Sequence, residues 1–328
     1  MTRLYPLLTV PIFDERPWGV RDLRPIYTKV GKELIGESWL TWDENRVANG
    51  PLAGRTLADL AKEYRRELVG TLACYEDRFP LLVKFLFPGD KLSVQVHPDD
   101  AHAQQKGHPC GKTECWHVLR AAPGAQVALG LKAGVTLEHF RQAIAGTRAE
   151  ELLNWVDVYA GDMLYVAAGT VHTISGGVVL VETQQTSDIT YRLYDYGRGR
   201  ELHIEEGLAA TKLHTNAGRV VRQASDGANV LVRSPYFQVE KMRLDGELQA
   251  DVSPHSPHVV VAVDGSGIVE SPGMEPISFA TGEAVVVPAG VRQYSVRPQW
   301  ELEVMRMSLP TGNVPEPETT LPRSVSAR

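Results

Sequence analysis

The chain has 328 residues, 43% hydrophobic and 23% charged, the composition of an ordinary globular protein. Lys and Arg total 34 against 40 Asp and Glu, so the net charge is -6 with no basic block, which argues against nucleic acid or an anionic membrane as a partner. Three cysteines (Cys74, Cys110, Cys115) make a disulfide framework a poor expectation and fit a reducing cytoplasm, while residues 1–10 lack a signal h-region and no run reaches the ~20 apolar residues that span a bilayer.

A length beyond one small core predicts two domains, or one large β-rich body with helical insertions. In chain order, Thr56-Leu-Ala-Asp59 forms a capping box that opens an amphipathic helix to about Val69. Short Val- and Leu-rich runs then follow at 81–87, 92–96 and 116–119. Each is bounded by Gly or Pro turns, the signature of strands in a sandwich or barrel. Residues 136–155 read as two short helices: Thr136 opens the first and Gly146 ends it, and Thr147 with Glu150 boxes the second. Strands resume at 163–166, 178–182 and 285–287. The tail after Pro310, rich in Pro, Ser and Thr, is expected to be loose.

An internal echo organises the chain. Gly161-Asp-Met-Leu-Tyr-Val-Ala-Ala-Gly169-Thr-Val-His172 is matched by Gly282-Glu-Ala-Val-Val-Val-Pro-Ala-Gly290-Val-Arg-Gln293. In both, a Gly-acid turn starts a β run and an Ala-Gly turn aims a side chain three residues on. The pattern resembles the second motif of the cupin superfamily, small β-barrels of jelly-roll type. The resemblance implies two cupin-like barrels: residues 1–215 with a His and the helical segments, and residues 216–328 as a degenerate copy.

The candidate metal ligands begin with Leu92-Ser-Val-Gln95-Val-His97-Pro98. On a strand, Gln95 and His97 share a face, and two polar groups there are costly unless something satisfies them. A cation would. Glu114, in Gly111-Lys-Thr-Glu-Cys-Trp116, and His172 complete a mixed N/O set suited to one Zn²⁺ or another divalent metal. Taken singly, each His is more often a surface or hydrogen-bonded residue, and Glu114 could be a rim carboxylate paired with Lys112 or Lys84. The cupin context favours the metal. Lys84, Lys112 and Arg192 each sit near a ligand-bearing segment, and together they suit a phosphorylated ligand.

Five separated stretches then resemble one family. They are Phe79-Pro-Leu-Leu-Val-Lys84, Ser93-Val-Gln-Val-His-Pro-Asp-Asp100, Gly111-Lys-Thr-Glu114, Gly169-Thr-Val-His172 and Asp188-Ile-Thr-Tyr-Arg192-Leu-Tyr-Asp195-Tyr, the last preceded by Glu182-Thr-Gln-Gln185. These, with Arg16-Pro-Trp-Gly19 and Gly36-Glu-Ser-Trp39, are similar to the short bacterial type I mannose-6-phosphate isomerases. The resemblance implies a zinc enzyme of double-cupin build that interconverts mannose 6-phosphate and fructose 6-phosphate. It implies Gln95, His97, Glu114 and His172 as ligands, and Lys84, Lys112, Arg192 and Asp188 as pocket residues.

Two departures stand out: Ala167 replaces the usual Pro before Ala-Gly, and Gly111 stands where longer members carry a His. For the proton carrier, Lys84, Lys112 and Asp188 remain open, with the metal and Arg192 expected to lower a lysine's pKa. Two rivals are an iron-dependent cupin dioxygenase, against which Gln95 in place of a His argues, and a non-catalytic sugar-phosphate sensor. The sequence does not determine an oligomeric state.

Overall fold

The computed structural model describes residues 3–222 and 229–321. The run Leu81–Leu86 is buried at all six positions, so both faces of its sheet must be covered, and the chain covers them by layering three sheets. The middle sheet has the order Ile12–Asp22, Val30–Trp39, Leu81–Leu86, Val178–Gln185, Glu114–Ala121, Met163–Val166, Gly218–Val220 and Thr319–Thr320. A five-stranded sheet, Tyr191–Tyr194, Val94–Val96, His172–Ile174, Gln126–Leu131 and Leu153–Asp157, lies over one face. The third, with eight strands, contains most of the chain after residue 229.

Alternation along each strand decides which core a side chain enters. Val83, Phe85, Cys115, Tyr165 and Val181 point toward the third sheet and pack with its Val259, Val261, Val286, Met305 and Met307. Trp116, Val118, Leu164 and Leu180 point the other way, to Val127, Leu129, Val156 and Ile174 of the five-stranded sheet. That second interlayer space also holds the polar groups described below. The protein is mainly β, as expected.

The two ends of the chain cross between sheets. Leu7–Thr9 pairs with Ala284–Val287 in the third sheet, while Gly218–Val220 and Thr319–Thr320 extend the middle one. The tail after Pro310 therefore differs from the expected loose segment. It returns to the middle sheet, where the Asn216 amide donates to Pro317 O at 2.5 Å and accepts from the Thr319 hydroxyl at 3.0 Å. The last residues, 322–328, lie outside the described residues.

Helices also differ from expectation in part. Thr56 caps Leu57–Tyr64 by accepting from the Asp59 amide at 3.1 Å; the helix breaks at Arg65, whose φ is 49°, and resumes as Arg66–Val69. Thr136 caps Leu137–Ala145 in the same way. The second helix expected there is a correction: only a 3₁₀ turn, Ala149–Leu152, precedes the strand Leu153–Asp157. Thr147 has φ 57° and so does not take the extended backbone an N-cap requires. Helices were not confined to two regions either, since Asp100–Gln105 and Ile204–Ala210 are also helical. Among the described residues no helix is long and apolar enough to cross a membrane.

The internal echo is matched in backbone. Gly161 and Gly282 have φ of 94° and 91°, and the turns close through Thr170 N to Ala167 O (3.1 Å) and Val291 N to Pro288 O (2.9 Å). The outcome differs. His172 is buried, whereas Gln293 is exposed and donates to Asp251, beside a hydrophobic core cluster that includes Val260, Val285 and Val304.

Candidate active site

Strand register gathers the candidate residues into two facing rows. Across the five-stranded sheet, Arg192 lies opposite Gln95, and Gln95 opposite His172. Across the middle sheet, Trp39 lies opposite Lys84, Lys84 opposite Glu182, and Glu182 opposite Trp116. Glu114 is two residues from Trp116, so it shares that face. Of these residues, Gln95, Arg192, Lys84, Glu182 and Trp116 line a cavity of about 360 Å³ that also meets Arg16, Glu37, Asp188 and Arg200.

His97, Glu114 and His172 converge, with one donor atom from each lying within 4.8 Å of the others. Nε2 of His97 is 3.5 Å from Glu114 Oε2, and Nε2 of His172 is 3.4 Å from Oε1. Both imidazoles are oriented from behind. Nδ1 of His97 is 2.8 Å from Ile189 O and Nδ1 of His172 is 2.9 Å from Thr170 O. A carbonyl can only accept, so the proton sits on Nδ1 and each Nε2 presents a lone pair to the cluster. Burial lowers the pKa of both rings, His172 to about 4, which keeps them neutral and ligand-competent at pH 7.

Whether these residues fit a metal is answered by Glu114. Both its oxygens are buried and accept no hydrogen bond, and the Lys112 ammonium, 3.2 Å from Oε2, faces only one of them, a costly arrangement for a carboxylate. A cation between the two Nε2 atoms and this carboxylate would satisfy it, and two imidazoles with a carboxylate form an N/O set suited to a borderline divalent ion. Gln95 stands beside them, its Nε2 3.2 Å from His172 Nε2 and its Oε1 accepting from the Ser93 hydroxyl.

The two lysines differ from a simple pair of surface cations. Lys84 and Lys112 are each only 3% exposed. Lys112 Nζ lies 3.1 Å from His97 Nε2 and 3.2 Å from Glu114 Oε2. Lys84 Nζ lies 3.1 Å from Glu182 Oε1 and 3.4 Å from Glu37 Oε2, over the Trp39 ring. Burial opposes its charge, but Glu182 and Glu37 more than offset that and raise its pKa. A lowered pKa was expected for a lysine here, and for Lys84 the surrounding carboxylates act in the opposite direction.

Arg192 stands at the far end of its row. Its Nη1 donates to Glu201 O at 2.8 Å, and its Nε is buried without a partner. Burial, then the nearby Arg200, lowers its pKa. Asp188 is exposed at the cavity mouth.

Sequence reasoning assigned no role to Arg16, Glu37, Glu182 or Arg200. Glu37 and Glu182 are carboxylates inside apolar β runs, the same signal that singled out Gln95. Trp39 Nε1 donates to Glu37 at 2.6 Å and Trp116 Nε1 to Glu182 at 3.1 Å, so each acid is seated by an indole. Arg200 carries no comparable signal.

A family model described as phosphomannose isomerase type I, catalytic domain, matches residues 31–116. The chain is 36% identical over 304 residues to the mannose-6-phosphate isomerase of Streptococcus mutans, covering 88% of this chain and 94% of that protein. It is 35% identical over 307 residues to the mannose-6-phosphate isomerase ManA of Bacillus subtilis, covering 89% and 95%. The crystal structure of a Bacillus subtilis mannose 6-phosphate isomerase superposes with a TM-score of 0.80 at 29% identity, over 92% of this chain and 99% of that one.

Proposed function

The chain belongs to the type I mannose-6-phosphate isomerase family, and we propose that it interconverts mannose 6-phosphate and fructose 6-phosphate at the cavity between the middle and five-stranded sheets. The observation that carries this reading is the convergence of the buried His97, Glu114 and His172, with Lys84 and Lys112 buried beside them. We assign one divalent cation per chain to Gln95, His97, Glu114 and His172, with Zn²⁺ the ion best matched to this donor set. The Gln95 amide has two ends of similar shape, and as a ligand it would turn its oxygen toward His172 Nε2. Such an ion supplies Lewis-acid polarisation of the sugar oxygens.

The chain's own residues do the rest. Isomerisation moves a proton between neighbouring carbons and leaves negative charge on oxygen on the way. Lys84, held cationic by Glu182 and Glu37, stabilises that charge without giving up its proton. Arg192, in the same row as Gln95, holds the anionic end of the substrate. The proton carrier is then Lys112, against the cluster, or Asp188, at the mouth. Solvent-proton exchange at C2 in Lys112→Met and Asp188→Asn separates the two, since only loss of the carrier abolishes exchange while sugar binding persists.

Catalysis is assigned to the body within residues 1–215, with residues 216–328 as a degenerate cupin-like half that closes the core behind the middle sheet. A cytoplasmic setting suits three free cysteines. The test is a coupled assay of fructose 6-phosphate conversion with and without chelator. Activity lost to chelator and restored by Zn²⁺ supports the reading; no conversion with any divalent metal defeats it. Sugar binding without C2 exchange would leave a sensor, and oxygen uptake a dioxygenase.

A further inference from the structure

The strand Val178–Gln185 ends in two glutamines that the site described above does not use. Alternation turns Gln184 to the face of Glu182 and Gln185 to the opposite face. Register sets Gln184 between Glu114 on one neighbouring strand and Leu82 on the other, and its side chain is fully buried. Its amide nitrogen donates to Gln185 O at 3.0 Å and to Ser187 O. A carbonyl can only accept, so these two bonds settle which end of the amide is nitrogen. The other end, Oε1, is buried and among the described residues accepts no hydrogen bond.

Stability alone does not account for such a residue. A methionine would fill nearly the same volume without burying an unpaired oxygen, which is costly. The two donors therefore matter for what they hold, which is the turn at 185–189. Within it the Ser187 amide donates to Gln185 O at 2.7 Å, and the Ile189 amide lies 3.5 Å from the Ser187 hydroxyl. Gln185 moors the start of the same turn from the other face. Its Oε1 accepts from the Thr113 amide at 2.8 Å, and its Nε2 donates to Asp100 Oδ1 at 2.9 Å.

The turn delivers the Ile189 carbonyl, which accepts from His97 Nδ1 at 2.8 Å. That carbonyl sets the tautomer and the ring plane of His97. The two histidines differ in this respect. His172 takes its backing carbonyl from Thr170, two residues away, in a turn closed by the Thr170 amide and hydroxyl on Ala167 O. His97 depends on a carbonyl 92 residues away in sequence, so its orientation is only as good as the anchoring of a separate turn. Gln184 supplies that anchor and does not itself line the cavity.

We propose that Gln184 is a positioning residue for His97: by holding the 185–189 turn it sets the Ile189 carbonyl against Nδ1, and so tightens the site's hold on its divalent cation. This rests on the ligand assignment made above, and metal binding tests it apart from turnover. The dissociation constant for Zn²⁺ is measured by competition with a chelator in wild type, Gln184→Met and Gln184→Asn, each checked for a cooperative thermal transition. Gln184→Met keeps the bulk and loses both donors, and should weaken Zn²⁺ binding about 10- to 100-fold, the usual cost of losing an outer partner of a ligand. Gln184→Asn keeps an amide one methylene too short to reach both carbonyls, and should fall between Met and wild type.

A general loss of packing could also weaken the site, so the same change is made in a His97→Gln background. If Gln184 acts through His97, the second substitution costs little once the imidazole is gone; if it acts on the site at large, the two losses add. Wild-type Zn²⁺ affinity in either folded Gln184 variant overturns the proposal, as does an equal loss with and without His97. A wild-type chain that binds no Zn²⁺ overturns the ligand assignment itself, and this proposal with it.

Discussion

Lys84 and Glu182 face one another across adjacent antiparallel strands, with Nζ 3.1 Å from Oε1 and both side chains buried. Glu37 completes the group from the strand on the other side of Lys84, at 3.4 Å. A single buried ammonium is thus shared between two carboxylates, and its charge is fixed by the sheet rather than by solvent.

The pH dependence of stability follows from Glu37. Burial alone would raise its carboxyl, but Lys84 and Arg16 outweigh burial and bring the pKa from 4.5 to about 2. The unfolded chain therefore takes up this proton more readily than the native one. The stabilisation is complete above about pH 4.5 and is lost as the pH falls toward 2; at pH 7 the shift from 4.5 to about 2 amounts to roughly 3 kcal/mol. Lys84 acts at the opposite end, its raised pKa giving stability that is present below 10.5 and lost only at more alkaline pH. Urea unfolding from pH 7 to 2 should show a flatter profile below 4.5 in Glu37→Gln than in wild type. An unchanged slope would remove Glu37 from the account.

Trp116 is expected to matter through its N–H as well as its volume. Its indole donates to Glu182 Oε2 at 3.1 Å while Oε1 faces the Lys84 ammonium, and its ring meets His172 edge-on at 5.5 Å. Trp116→Phe keeps most of the ring contact but leaves a buried carboxylate oxygen unsatisfied, at a cost of about 1–3 kcal/mol. Chemical denaturation measures this directly. A loss below a few tenths of a kcal/mol would mean that Glu182 finds another donor.

Gly111 is held by close approach. A Cβ there would lie 2.5 Å from the Asp99 carbonyl carbon and 2.6 Å from Pro98 O. Its N–H donates to Asp100 Oδ1, and the next amide, that of Lys112, donates to Pro98 O. A side chain at 111 must push residues 98–100 away and displace Lys112 from the cluster, so the His of longer members requires a different path here. Gly111→Ala should lower kcat/KM by about 100-fold, the usual penalty for a misplacement of about 1 Å, and destabilise by about 1–3 kcal/mol. Steady-state kinetics beside thermal melting separates the two effects, and near-wild-type kinetics would show that the loop yields without moving Lys112.

The mainly β class and the convergence of His97, Glu114 and His172 were legible in the sequence, and the strand pairing was not. His97 and His172 could be placed because a polar side chain on an apolar strand, or after an Ala-Gly turn, signals its direction locally. Lys84, Glu114 and Arg192 needed the family motifs, since their proximity depends on cross-strand register, which no local pattern encodes. The same limit hid Glu182, which is set beside Lys84 only by pairing. Thr147 looked like a cap by composition but has a positive φ, which the residue pattern alone does not signal. The exchange of Leu7–Thr9 and Thr319–Thr320 between the halves is a contact at separations of hundreds of residues, beyond any window of periodicity.

Ala167 offers the reverse case, a sequence departure whose consequence the structure makes testable. It follows the Met163–Val166 strand, and its counterpart in the echo is Pro288. Both turns close through the same bond, from the amide three residues on to the carbonyl of Ala167 or Pro288. The neighbouring amide, that of Ala168, donates to the Thr113 hydroxyl, and among the described residues the Ala167 amide makes no bond outside its strand. Proline at 167 should therefore enter without loss of a donor, fixing a backbone that the unfolded chain would otherwise explore. Ala167→Pro is expected to stabilise the protein by about 0.4–1 kcal/mol while leaving His172 in place and kcat/KM unchanged. A lower melting temperature with intact kinetics would show that the φ at 167 is incompatible with proline, and that the two halves have diverged at the turn as well as at the residue it aims.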